Sequence, residues 1–226
     1  ETDNEQTVQA DQVRHVAAKS TGALHSFSLS GAVAAKNPVR SKGSSPEIPF
    51  EAAGSVSLNL MQTKTQALVT GLKDPQGGSA QGDMLVSALE DTSMFALSGA
   101  VALAFPTTTD GAGGLDFSFA YNAMSGFTKA KVEDSELRNR KQLAVRSQRT
   151  GKILSISAGC SGQAANSDYA VDLAGSVAIN RIEHDVLALV VDNDSIELSG
   201  DLFVVARDNS KIEADAGGVA LLWGRG

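Results

Sequence analysis

Five basic residues, Arg138, Arg140, Lys141, Arg146 and Arg149, crowd into twelve positions of a chain whose overall balance is acidic. Alternation along a strand would set Arg138 and Arg140 on one face, where a row of guanidinium groups could grip sulfate or carboxylate groups in bidentate fashion. The chemistry this points to is binding of an acidic glycan; the plainer alternative is a charged outer face that keeps a sheet from pairing at its edge. A second set is acidic. Asp192 with Asp194, and Glu90 with Asp91, could act as paired carboxylates on a glycosidic bond, whereas Asp recurring at chain turns is the simpler reading. The third set is Asn59, Asn122 and Asn180, each followed eight residues later by Ala (Ala67, Ala130, Ala188) and two further on by Val (Val69, Val132, Val190). An internal amide ladder at a turn, each side chain bonding its neighbour or backbone, accounts for them, since no nucleophile or acid recurs at that offset.

Other chemistries lack their residues. His15, His25 and His184 stand in unrelated contexts with no Ser or Cys elbow, and neither a His-x-Glu nor a Cys-x-x-Cys zinc arrangement occurs. Gly111-Ala112-Gly113-Gly114-Leu115-Asp116 partly echoes the calcium-binding nonapeptide, but that site needs tandem copies and this is one imperfect copy. It reads as a flexible glycine loop, so neither a metal nor a cofactor is expected, and no catalytic residue. Cys160 is the single cysteine, which excludes an intrachain disulfide and a cysteine-rich zinc site. Its alignment with Val219 suggests a small buried hydrophobe.

Composition bounds the remaining classes. Over 226 residues, 19 Lys and Arg against 26 Asp and Glu give a formal charge of −7, which argues against general nucleic-acid binding. Hydrophobic residues make up 42 % and charged residues 20 %, enough apolar material for a core and too little charge for a disordered chain. Aromatics are only 5 % while Gly numbers 22, so the core must be built of Ala, Val, Ile and Leu, which suggests stacked layers. No run approaches the roughly 20 apolar residues of a membrane-spanning helix, and the start ETDNEQTVQADQ is unlike a signal peptide. The apolar end GGVALLWGRG reads as a cut inside a strand, hence a piece of a longer chain.

The elements that must position these residues show themselves as repeats. Residues 82–105 and 200–223 align without a gap over 24 positions with nine identities, at an offset of 118, twice 59. A degenerate middle copy begins at Lys141, and a looser one, QVRHVAAKSTGALHSFSLSGAVAA, lies near the start. A second unit, 56–69, 119–132 and 177–190, aligns on the three asparagines at offsets of 63 and 58. Within the units apolar residues alternate with period two, as in Leu202, Val204 and Ala206, so these are strands. Asp91-Thr92, Asp192 to Ser195 and Asp208 to Ser210 read as turns that break them into about six short strands per repeat. Three strands to a coil would then make seven or eight coils. All five prolines, Pro38, Pro46, Pro49, Pro75 and Pro106, fall in connectors, so 36–53, 73–81 and 106–114 are expected as surface loops on a single unit, 1–226. The expected fold is all-β, a parallel β-helix, with a β-sandwich of antiparallel hairpins as the alternative.

The run AGSVAINRIEHDVLALVVDNDSIELSGDLFVVARDNSKIEADAGGVAL resembles the repeats of large bacterial secreted adhesins and filamentous haemagglutinin-like exoproteins. Gly175, Ser176, Val177, Ala178, Asn180 and Ala188 carry the first part of the likeness, and Gly200, Asp201, Leu202, Ala206, Asp208, Ser210, Ala216, Gly217, Gly218 and Val219 the second. The resemblance implies a right-handed β-helix exported to the cell surface or medium. A stiff stalk that contacts acidic glycans or host-cell proteins, flanked by neighbouring coils, is the expected role. The alternatives are a polysaccharide lyase or hydrolase and a calcium-dependent toxin segment.

Overall fold

The computed structural model describes residues 15–35, 50–76, 82–105, 112–165 and 170–224. Its elements are β1 (His15–Ala35), β2 (Phe50–Thr70), β3 (Met84–Phe105), β4 (Ala112–Glu133), β5 (Glu136–Arg140), β6 (Leu143–Ala165), β7 (Ala170–Val191), β8 (Ser195–Leu198), β9 (Leu202–Asp208) and β10 (Lys211–Gly224). There is no helix among the described residues, hence none long and apolar enough to cross a membrane. One sheet runs β1-β3-β6-β10 with β9 also on β6, a second runs β2-β4-β7, and β5 pairs with β8 in a short third. Every strand pair is parallel, which is the pairing of stacked repeats and not of antiparallel hairpins.

The ladder register is the repeat register. Gly82 and Gly200 stand 118 apart in sequence, and the strands pair in two steps of 59, Val101 to Cys160 and Cys160 to Val219. Asn59 pairs with Asn122 and Asn122 with Asn180. Each repeat thus supplies one strand to each large sheet.

The strands are longer and fewer than the turn signals suggest. β2, β3, β4, β6 and β7 run 21 to 23 residues without interruption, so the chain passes four times through the larger sheet instead of making seven or eight coils. Asp91-Thr92 lies in the middle of β3, with Asp91 outward and Thr92 buried. A polar residue facing inward need not end a strand when a polar partner waits inside, and Thr92 Oγ1 donates to Glu90 Oε1 of the same strand at 3.3 Å. The other two turn readings coincide with real breaks, between β7 and β8 and between β9 and β10.

At one corner the chain turns through the same left-handed residue in each repeat. Gly71, Asp134 and Asp192 have φ of 67°, 48° and 53° and stand at the offsets of the β2, β4 and β7 ladders. Short polar side chains tolerate that conformation. The corner is tied by hydrogen bonds between copies: Leu72 N–H to Ser135 Oγ at 3.2 Å, and Ser135 N–H to Asn193 Oδ1 at 3.1 Å.

Of the expected loops, 50–53 and 112–114 belong to β2 and β4, and Asp74 is buried. Pro75 is exposed in the connector after β2. The stretches 36–49, 77–81 and 106–111, with the other four prolines, lie outside the described residues. The apolar core gathers where the two large sheets meet near the corner: Val69, Val86, Ala88, Val132, Leu137, Leu143 and Val145. A smaller cluster, Met94, Met124 and Ile153, sits further along. No aromatic side chain is among these buried residues, as the composition requires.

Candidate functional site: the buried polar interior

Between the two apolar clusters the interior is charged. Glu90 on β3 and Arg149 on β6 are register partners, and Arg149 in turn partners Asp208 at the end of β9, so one inward column reads acid, base, acid. Arg149 Nε donates to Glu90 Oε1 at 3.2 Å, and both side chains are fully buried. Arg149 Nη1 lies 3.8 Å from Asp208 Oδ1 and also donates to Ser210 Oγ. From the opposite sheet, Thr63 and Thr128 donate to Glu90 at 2.8 and 2.9 Å. Thr128 Oγ1 is also 2.9 Å from His184 Nε2, and because its proton is given to Glu90 it accepts from an Nε2–H. His184 is therefore the Nε2–H tautomer, with Nδ1 buried and unpartnered.

Burial alone would raise the Glu90 pKa, but the threonine hydrogen bonds, His184 and Arg149 outweigh it and hold the carboxyl below its usual range. Burial, then the Arg149 charge, pushes His184 down, against the pull of Glu90, Asp208 and Asp185. The arrangement favours the charged form of the carboxylate and disfavours protonation of the imidazole. Two glycines make the room. A methyl group at Gly151 would come within 2.6 Å of the Arg149 guanidinium, and Gly126, at φ 143°, lies against the Thr63 carbonyl.

Away from the charges the interior is a set of polar ladders. Asn59 Nδ2 donates to Asn122 Oδ1 and Asn122 Nδ2 to Asn180 Oδ1, each at 2.7 Å. The asparagines stack as expected, but in mid-strand and not at a turn. Asn122 also donates to Ser155 across the sheets at 3.0 Å. Ser98, Ser118 and Ser157 form a closed hydroxyl triangle at 2.8 to 3.0 Å.

The five basic residues do not share a surface. Arg149 is in the core, and Arg140 is buried in a bidentate pair with Asp74 at 2.6 and 2.7 Å. A guanidinium already matched to a buried carboxylate cannot grip a glycan, so the expectation of a five-residue site is corrected. Arg138 is half-buried beside Glu136 at 3.3 Å, and only Lys141 and Arg146 are exposed. Asn139, at φ 55°, and a register shift between Leu137 and Arg140 break the simple alternation of β5.

The carboxylate pairs are likewise not assembled. Glu90 is buried while Asp91 faces out, and Asp192 and Asp194 flank the corner turn. Cys160 pairs with Val219, but that column points outward: Val219 is 53 % exposed and Cys160 half-buried. His15 approaches Ser87 at 3.5 Å and the His25 ring meets that of Phe95 at a 49° tilt. No group of three or more His, Cys, Asp or Glu residues placed to hold a metal ion occurs among the described residues.

Sequence reasoning missed the Glu90–Arg149–His184 cluster, although its signal was present. An offset of 59 carries Glu90 to Arg149 and Arg149 to Asp208. Opposite charges at equivalent positions of adjacent repeats are what a buried column needs. Comparison with protein-family models, curated proteins and solved structures finds no match for this chain.

Proposed function

We propose that the chain is a stiff structural and adhesive segment of a bacterial secreted or surface protein, built as a right-handed parallel β-helix. The observation that carries this reading is the identity of repeat register and ladder register, with like or complementary side chains stacked from copy to copy inside. Such a design spends its polar residues on joining repeats, which is what a stalk requires. The apolar outer strip of Val56, Leu58 and Leu60 on β2, each more than 60 % exposed, supports contacts with a protein partner. Lys141 and Arg146 remain as the exposed cations for an acidic glycan.

Pulling single molecules from the two ends tests the stalk. Repeat-sized releases of about 60 residues, each roughly 200 Å of extended chain, are expected; a smooth low-force extension refutes it. A glycan array run with the native chain and Lys141→Ser/Arg146→Ser tests the adhesive half, which requires binding that the variant loses.

A further inference from the structure

We infer that Asp116, Asp172, Ser161 and Gln163 form a binding site for a hard divalent cation of the calcium class, where the starts of β4 and β7 meet the end of β6. The inference is independent of the stalk reading. Asp116 Oδ2 accepts the Cys160 N–H, and Asp172 Oδ1 accepts from Gln163 Nε2 at 2.8 Å. Gln163 also donates to the Val171 carbonyl at 2.8 Å. Ser161 is buried on β6 between Cys160 and Gln163, the residues that anchor the two carboxylates.

What remains is a set of unpaired oxygens. Asp116 Oδ1, Asp172 Oδ2, Gln163 Oε1 and Ser161 Oγ are all buried without a hydrogen-bond partner. The Asp116, Ser161 and Gln163 residues are at most 1 % exposed. Three of the four atoms can only accept, so they cannot satisfy one another. Among the described residues no cationic side chain acts on either carboxylate, and burial pushes both pKa values up. Acceptor-only atoms in such a place need a proton or a cation. Two carboxylates, an amide carbonyl and a hydroxyl are hard oxygen ligands, suited to calcium with water filling the remaining positions, and unsuited to zinc or copper.

Glycines again keep the space. A methyl group at Gly114 would collide with Asp172 Oδ1, and one at Gly159 would meet the Gly175 carbonyl at 2.8 Å and Asp116 Oδ2 at 3.3 Å. Gly113-Gly114-Leu115-Asp116 is the stretch whose sequence echoes a calcium motif. Here its aspartate is completed by residues of β6 and β7, so tandem copies are not needed.

Thermal melting of the chelator-stripped full chain, with calcium or magnesium added, tests the assignment beside Asp116→Asn and Asp172→Asn. Calcium at about 100-fold above its Kd should raise the native midpoint by roughly 5–10 °C, and both variants should lose most of that rise. Terbium luminescence on the native chain, quenched by added calcium, gives the same answer without any variant. No calcium shift together with higher stability at mildly acidic pH would show a proton-sharing pair and overturn the site. An equal shift in both variants, or a response to magnesium alone, would overturn it too.

Discussion

Removing the Glu90 carboxylate leaves the Arg149 guanidinium in the interior with the Ser210 hydroxyl and, as counter-charge among the described residues, the partly exposed Asp208 at 3.8 Å. Glu90→Gln should therefore destabilise the chain by about 3–5 kcal/mol, read from urea unfolding, because a buried charge loses its partner. The same cluster sets an acid limit. His184 has a folded pKa below its ordinary 6.5, so the unfolded chain binds the extra proton and stability falls as pH drops below that value. Glu90 lies below its ordinary 4.5, so its contribution is complete above that pH and lost as pH falls further. Midpoints measured from pH 8 to pH 4 should decline in two stages, and His184→Asn should flatten the first. An unchanged decline in that variant would remove His184 from the account. Glu90 was visible in the sequence as an acid but misread as part of a turn. A single strand's pattern does not reveal that a cation from the next repeat stands beside it.

The strands are held in register by their inward polar ladders as well as by backbone bonds. Asn122→Ala removes the acceptor for Asn59 and the donor to Asn180 and Ser155, stranding buried amide atoms. A loss of about 1–3 kcal/mol is expected by denaturant titration, where a merely exposed Asn would cost almost nothing. The corner carries a backbone prediction. Asp134 at φ 48° should accept Gly without loss, whereas Asp134→Val should cost about 1–2 kcal/mol, since a β-branched side chain is strained there. Equal stability of the two variants would show that the corner relaxes. The Asp192 turn was legible because turn chemistry is local. Strand length was not, because Glu90 is kept inside by partners on other strands, and Thr92 by its own bond to Glu90.

Across the whole molecule, protection should grade from the middle outward. β3, β4 and β6 have neighbours on both sides, whereas β1, β2, β7 and β10 end their sheets, and every residue of β9 is exposed. Amide hydrogen exchange should be slowest in β3, β4 and β6 and fastest in β9 and β10, since edges open without breaking a second ladder. Uniform protection would mean that something covers the ends.

The sequence by itself determined the all-β composition, the parallel stacking and the ladder register, because each follows from an offset that can be counted along one chain. The three asparagines could be placed side by side on that offset alone. Only the tertiary structure decided which face of each strand turns inward and what lies across the gap between sheets. That decision buried Arg140 and Arg149, turned Cys160 outward, and brought His184 and Thr128 to Glu90. Contacts across the gap join residues at offsets that are not the repeat. They depend on how two sheets face each other, and no periodicity along the chain records that.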